Sequence, residues 1–495
     1  MHMVIQDSFL HYRRTAEDAS ALVTDGMHIA MSGYSGAGYP KAVVQALRER
    51  KLGGEAFGIS LVTGANLPWV DERLGSVGLL TKRAPMVAHK SLSALVNKAE
   101  VQYVEQQMNR MPRLLRTNAF GPIDLLVVEA LGFDREGNLI PTNAVGMLDL
   151  LMRAASKIII EINVAQHEKL SDLHDIFILQ DPPHTQPIPL VRSAQRIGLK
   201  GIPFDHSKIV AIVESEISES STQLFGSTET STTIASHLFD FLEVEYGHLK
   251  GGLPPVQTGF GSIADSITTG FQDTGFKDLQ FFCGGVGESA MTLLESGKAL
   301  SLSTGGLGMN ERVAGMLSSF PRIEDSLVIR NGSVTNSSEV ISRLSLIALN
   351  TGIEVDIYGN VNSSHIGGSA VVNGIGGGAN FAQNSGLSVV LIPSLSKGGA
   401  ISNIVPMVSH QDINEHDVDI VITEHGVADV RGLDDVARAR KIIGVCASDQ
   451  YRDALSSYLQ RAQQRCGGHH PQLPMEAFGW YQRLQETGTM AEETR

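Results

Sequence analysis

The sequence predicts an α/β protein built on mainly parallel sheets, and three observations carry that expectation. Short β-rich apolar runs recur along the chain, each is closed by a turn-prone residue such as glycine, serine or asparagine, and each is followed by a segment with an amphipathic helical pattern. In chain order the runs are 27–33 (MHIAMSG), 57–64 (FGISLVTG), 123–131 (IDLLVVEAL), 157–163 (KIIIEIN), 208–215 (KIVAIVES), 279–283 (LQFFC), 353–359 (IEVDIYG), 387–393 (LSVVLIP) and 418–424 (VDIVITE). Ligands gather beyond the C-terminal ends of strands in such sheets. Gly33, Thr63, Glu129, Asn163, Cys283 and Glu424 therefore stand where function is expected, although most of them read as simple turn residues.

The chain has 495 residues, which favours two or three domains over a single core. The stretch 214–233, ESEISESSTQLFGSTETSTT, is rich in Ser, Thr and Glu and reads as a connection. The expected organisation is an N-terminal domain over 1–213, a linker over 214–233 and a C-terminal domain over 234–495.

A formal charge of −14 argues against nucleic acid and anionic membrane as partners, since both demand basic surfaces. Cys283, Cys446 and Cys466 have no CxxC spacing and suggest no disulfide framework, so a reducing, cytoplasmic setting is expected. No apolar run approaches the ~18 residues of a membrane span, and MHMVIQDSFLHYRR lacks a signal-peptide core.

Three glycine-rich stretches could meet a ligand. SGYSGAGYPKAV (32–43) and QTGFGSIADSI (257–267) place small residues ahead of helices, where free N–H groups can meet phosphate or a pantetheine amide. NGIGGGANF (373–381) follows a strand. The latter two match neither a Walker A loop nor GxGxxG, so turn chemistry and anion binding stay open on spacing alone.

These stretches recur in a fixed order with LVTGAN, AEVQYVEQQM, RIGLKGIPFDHSKIVAIVES, YGNVNSSHIGG, NIVPMVSHQD and ITEHGVADVRGL, from about residue 15 to ETGTM at 486–490. The ordered set resembles the acetyl-CoA hydrolase/transferase family of class I CoA-transferases. The resemblance implies two similar open α/β CoA-transferase domains, coenzyme A as part of an acyl-CoA substrate, a small carboxylate as acceptor, and a homodimer.

Residue by residue, the resemblance implies a loop over the CoA thioester at Gly259, Phe260, Gly261, Ser262 and Ile263, with Phe260 where the family carries a smaller valine. It implies CoA contacts at Asn373, Gly377 and Lys397, the last being otherwise an ordinary surface lysine. Oxyanion donors are implied at Asn336 and the N–H of Gly377; from the residues alone, Asn336 reads equally as a helix cap completed by Glu339. Glu424 matches a family acid near the reacting centre and could act as general base if partial burial raises its pKa.

Two departures stand against standard transfer chemistry. The family's nucleophilic glutamate falls on Gly284 in LQFFCGGVGESAMTLLESGK (279–298), and the Asp-Arg pair that helps hold the acceptor falls on Glu219-Ser220. Glu288 and Cys283 are substitutes for the nucleophile, with Cys283 read first as a buried structural thiol. His365, His410, His425 and the pair His469-His470 show no ligand spacing that points to a metal, and no metal is expected. The expected function is thioester hydrolysis or lyase-type chemistry without a glutamyl-CoA intermediate. The alternatives are a transferase with a displaced carboxylate and a noncatalytic acyl-CoA binder.

Overall fold

The computed structural model describes residues 7–219, 226–249, 252–259 and 261–492. The chain gathers into two compact units: Met1–Gln223 with Asp278–Leu344 and Val372–Asn380, and Leu224–Lys277 with Ser345–Val371 and Phe381–Arg495. We refer to them as unit 1 and unit 2.

In unit 1 the strands His28–Met31, Ile59–Thr63, Leu80–Ala84, Ile123–Phe133, Ala155–Asn163 and Ile209–Ser215 form one sheet with all of these neighbours parallel. Each predicted run here is a strand because its apolar residues are buried on both faces: Ile29 and Ala30, Leu61 and Val62, Leu126 and Val127, Ile158 and Ile159, and Ile212 and Val213 are essentially inaccessible. A second parallel set joins Leu279–Val286, Ala299–Leu307, Leu327–Arg330 and the short His174–Asp175. The sequence does not announce Ala299–Leu307. Its serines and paired glycines lower its apolar content, and partners on either side make it a strand.

Unit 2 places Val256–Thr258, Ile347–Thr351, Leu387–Leu391 and Ile420–Thr423 side by side in parallel, with Gly426–Asp429 antiparallel at the edge. The run at 353–359 departs from expectation. Only Glu354–Asp356 is strand, within a small three-stranded sheet. The buried Asp356 carboxylate accepts the N–H groups of Tyr358 and Asn360, both at 3.0 Å, and Gly359 takes φ 99°, so the chain turns where the pattern would continue it. The predicted linker contributes its first residues to Ile209–Ser215 and its last to the helix Glu229–Tyr246, opened by a Thr228/Ser231 capping box; 220–225, including Ser220, lie outside the described residues. Among the described residues no helix is long and apolar enough to cross a membrane.

His174 gives unit 1 a measurable acid limb. It is buried, its Nε2 lies 2.7 Å from the Thr142 carbonyl, and its Nδ1 has no partner. Burial, with Arg196 adding to it, pushes the imidazole down from 6.5 to about 4. The unfolded chain takes up this proton below pH 6.5 and the folded chain does not until about pH 4. The stability due to a neutral His174 is therefore complete above pH 6.5 and is lost as the pH falls through that window, by about 3 kcal/mol. Asp149 and Asp356, both pushed up to about 6 by burial, act with the opposite sign. The expected result is that His174→Gln flattens the fall of the urea midpoint between pH 6.5 and 4 relative to wild type; parallel profiles for the two proteins would refute it.

Candidate active site

In unit 1, Gly284 lies on the strand Leu279–Val286, and its backbone does not need glycine. Among the described residues a Cβ built there meets only Cε1 of Tyr34, at 3.9 Å, an ordinary contact, and its φ is not positive. Gly146 and Gly305 differ, because Cβ atoms there would lie 2.4 and 2.8 Å from the Tyr34 side chain. Those two glycines are needed to seat the ring. Residue 284 is thus empty of a side chain but not of room.

Tyr34 projects from the turn 32–38, where Gly33, Ser35, Gly36 and Gly38 all have positive φ and Tyr34 and Ala37 exchange backbone hydrogen bonds of 2.9 and 3.1 Å. A left-handed serine costs about 1–2 kcal/mol, so this turn is held by its surroundings. Its phenol is buried, which raises its pKa well above the ordinary value and leaves a neutral hydroxyl. That hydroxyl accepts from Asn336 Nδ2 at 2.6 Å; the amide's other proton goes to Thr335 Oγ1 at 3.0 Å. Asn336 is buried at φ −110°, ψ 20°, just past a short helix, and does not cap the following one, where Ser337 Oγ takes the N–H of Val340. Glu339 pairs with Arg343 instead of closing a capping box.

The glycine triplet is tied to the same neighbourhood. Asn380 Nδ2 donates to the main-chain carbonyl of Asn336 at 3.1 Å, and the loop leading to Gly377 is fixed by Ile375 N–H on Glu105 Oε1 at 2.8 Å and Met108 N–H on the Gly376 carbonyl at 3.1 Å. Asn373 is exposed. The two substitute nucleophiles are otherwise engaged. Cys283 is fully buried in the sheet, and Glu288 accepts from Asn310 Nδ2 at 2.8 Å while facing Arg312 at 3.4 Å.

The stretch 32–43 does not offer its helix N-terminus to a ligand. The Glu161 carboxylate takes the N–H groups of Lys41, Ala42 and Val43 at 2.9, 2.9 and 3.0 Å, so an internal anion already complements the helix dipole. Lys41 is buried beside Glu129 at 2.5 Å and Glu219 at 3.7 Å. Burial alone would lower the lysine's pKa, but these carboxylates outweigh it and hold the ammonium. Glu129 is pushed up by burial and by Glu219 and Glu161, against the pull of Lys41. Asn163 Nδ2 also donates to Glu129 at 2.8 Å, so Glu129 and Asn163, singled out at strand ends, belong to this internal network.

In unit 2, Glu424 follows the strand Ile420–Thr423, and both its oxygens are positioned by Ser394, through N–H at 2.8 Å and Oγ–H at 2.5 Å. His425 Nε2 lies 3.1 Å from the same Ser394 Oγ and 3.7 Å from Glu424 Oε1. The serine is fully buried and orients the carboxylate, whose side chain is 22% exposed. Lys397 is exposed and sits at φ 47° beside Gly398 at φ 65°. Gly259 ends Val256–Thr258, and Gly261, at φ 125°, precedes Ser262 and the buried Ile263 in the helix Ser262–Gly270, which has no side-chain cap. Phe260 lies outside the described residues. Sequence reasoning missed Tyr34, Ser394 and Lys41 as site builders; the only signal was their place in or next to glycine-rich turns.

The whole fold has solved counterparts. RipA from Yersinia pestis superposes with a TM-score of 0.70 at 18% identity, covering 92% of this chain and 98% of that one. The acetyl-CoA hydrolase/transferase N-terminal domain pattern matches residues 2–214 and the C-terminal domain pattern residues 316–459. The chain is 34% identical over 481 residues to the succinyl-CoA:acetate CoA-transferase of Clostridium kluyveri, covering 96% of this chain and 89% of that protein. It is also 34% identical over 506 residues to the acetyl-CoA hydrolase of Eremothecium gossypii, covering 97% and 96%. The chain therefore belongs to the acetyl-CoA hydrolase/transferase family and is an enzyme of that family.

Proposed function

We propose that the enzyme acts on acyl-CoA thioesters without a glutamyl-CoA intermediate, by attack of water on the thioester or by a lyase-type cleavage. The observation that carries this reading is Gly284: no carboxylate stands at the nucleophile position, and Glu288 is held by Asn310 and Arg312. In the hydrolytic form, the water oxygen bonds to the acyl carbon, the C–S bond breaks, and the products are the free acid and CoA thiol. Both amide protons of Asn336 are already given to Tyr34 and Thr335, so the Tyr34 hydroxyl takes the role of donor to the developing oxyanion, with the N–H of Gly377 as second donor. Glu424, oriented by Ser394, takes the water's proton. Gly259, Gly261, Ser262 and Ile263, with Phe260, Asn373 and Lys397, are assigned to the CoA moiety.

Mass-spectrometric product analysis with a panel of acyl-CoAs, each with and without acetate or succinate, tests the reading. Free CoA released at the same rate with and without acceptor is the expected outcome. A new acyl-CoA formed only with the acceptor would overturn it. Asn336→Ala removes the amide that holds the Tyr34 hydroxyl and is expected to lower kcat by up to about 10²–10³-fold, the loss typical of one oxyanion donor, with KM little changed.

A further inference from the structure

We infer that unit 2 carries a divalent transition-metal site on its surface, formed by Glu415, Asp435 and His470 with His469 as fourth ligand, and that zinc is the ion its chemistry suits. None of these four residues has a catalytic role above. The ligand atoms Glu415 Oε1, Asp435 Oδ2 and His470 Nδ1 all lie within 4.8 Å of one another. Nδ1 of His470 is 3.8 Å from Glu415, Nε2 of His469 is 3.4 Å from Asp435 Oδ2, and Nδ1 of His470 is hydrogen-bonded to Asp435 Oδ2 at 2.7 Å, a contact that an ion would replace by moving the two atoms slightly apart. At metal–ligand distances of about 2.0–2.2 Å, tetrahedral ligands stand roughly 3.3–3.6 Å apart.

The surroundings are arranged as those of a metal centre are. Asn360 Nδ2 donates to Glu415 Oε2 at 2.6 Å, which leaves Oε1 turned to His470 and accepting no hydrogen bond from any described residue. The His470 ring stacks on Tyr358 with centroids 3.8 Å apart, and the Tyr358 hydroxyl donates to the Pro471 carbonyl, so ring and loop are both oriented. Gly467 and Gly468, at φ 62° and 80°, make the turn that presents the adjacent histidines. Arg438 donates to the carbonyls of Tyr358 and Glu415. Two imidazoles with two carboxylates favour zinc over magnesium or calcium, which prefer oxygen alone. The ion would clip the loop between the two last helices to the start of Asp435–Cys446 and to the 415–417 turn.

The test uses the tag-free, chelator-stripped full chain in a non-coordinating buffer near pH 7.5, with zinc chloride titrated by calorimetry and the melting temperature followed in parallel. Wild type is expected to bind zinc with a rise in melting temperature, and magnesium to give none. His470→Phe, which keeps a ring over Tyr358, and Asp435→Asn should each lose one equivalent of zinc, or bind it at least 10-fold more weakly, with the zinc-free melting temperature unchanged. Zinc held elsewhere, such as beside the stacked His365 and His410, would be untouched by these substitutions. Zinc binding of undiminished stoichiometry and affinity in both variants, no binding by wild type, or an equal response to magnesium would overturn the assignment.

Discussion

Gly284→Glu is expected to give this enzyme CoA transfer through a glutamyl-CoA intermediate at residue 284. The reason is steric. The backbone at 284 is compatible with any L-residue, and a Cβ there touches only the edge of Tyr34 at 3.9 Å, whereas at Gly305 or Gly146 the same atom would collide with that ring. The introduced side chain leaves the strand near its C-terminal end, beside the ring bonded to Asn336, so the new carboxylate arrives next to the groups proposed above for the oxyanion. Its attack on an acyl-CoA would form an anhydride and release CoA thiolate; return of the thiolate to the glutamyl carbonyl would give a glutamyl-CoA thioester and free the acid. The variant should accumulate a protein adduct heavier by CoA less water, mapping to residue 284, and should exchange CoA onto acetate or succinate at least about tenfold faster than wild type, about 1.4 kcal/mol in barrier. Gly284→Gln should do neither. A folded Gly284→Glu protein that forms no adduct and exchanges no faster would show that the empty position is not aligned with the thioester.

That prediction was half legible in the sequence. Counting back from Ser296-Gly297-Lys298 is what singles out residue 284 in the sequence, and the structure puts it near the end of the strand Leu279–Val286, just before the helix Glu288–Glu295. Neither the room at 284 nor its neighbour could be read, since Tyr34 is seated by glycines at 146 and 305, far away in sequence and without a local pattern. The same physics governs the rest. Strands such as Ile123–Phe133 declare themselves through continuous burial of β-branched residues, while Ala299–Leu307 becomes a strand only through its partners. The helix opening at Ala42 looked free for an anion because its complement, Glu161, comes from a distant strand. Asn336 balanced between cap and donor until the fold brought Tyr34 to its amide.

Glu424→Gln is expected to lower kcat by about 10²–10⁴-fold, the range for loss of a general base, while leaving acyl-CoA binding near its wild-type value. The substitution keeps shape. The remaining amide oxygen can still accept the Ser394 N–H, and the amide nitrogen can donate to the Ser394 hydroxyl, which then turns its own proton elsewhere, so the side chain stays anchored while its basicity is gone. This separates chemistry from architecture. Ser394→Ala removes only the hydroxyl that fixes one oxygen; as a positioning residue it should cost far less in kcat and leave the shape of the pH–rate profile intact, whereas Glu424→Gln should abolish the limb that reports the base. His425 shares the Ser394 hydroxyl at 3.1 Å and is the remaining candidate for that limb. If Glu424→Gln retains the limb and His425→Gln loses it, the base is the imidazole. If Glu424→Gln turns over thioesters at the wild-type rate, the carboxylate serves only to hold the loop that follows Ile420–Thr423.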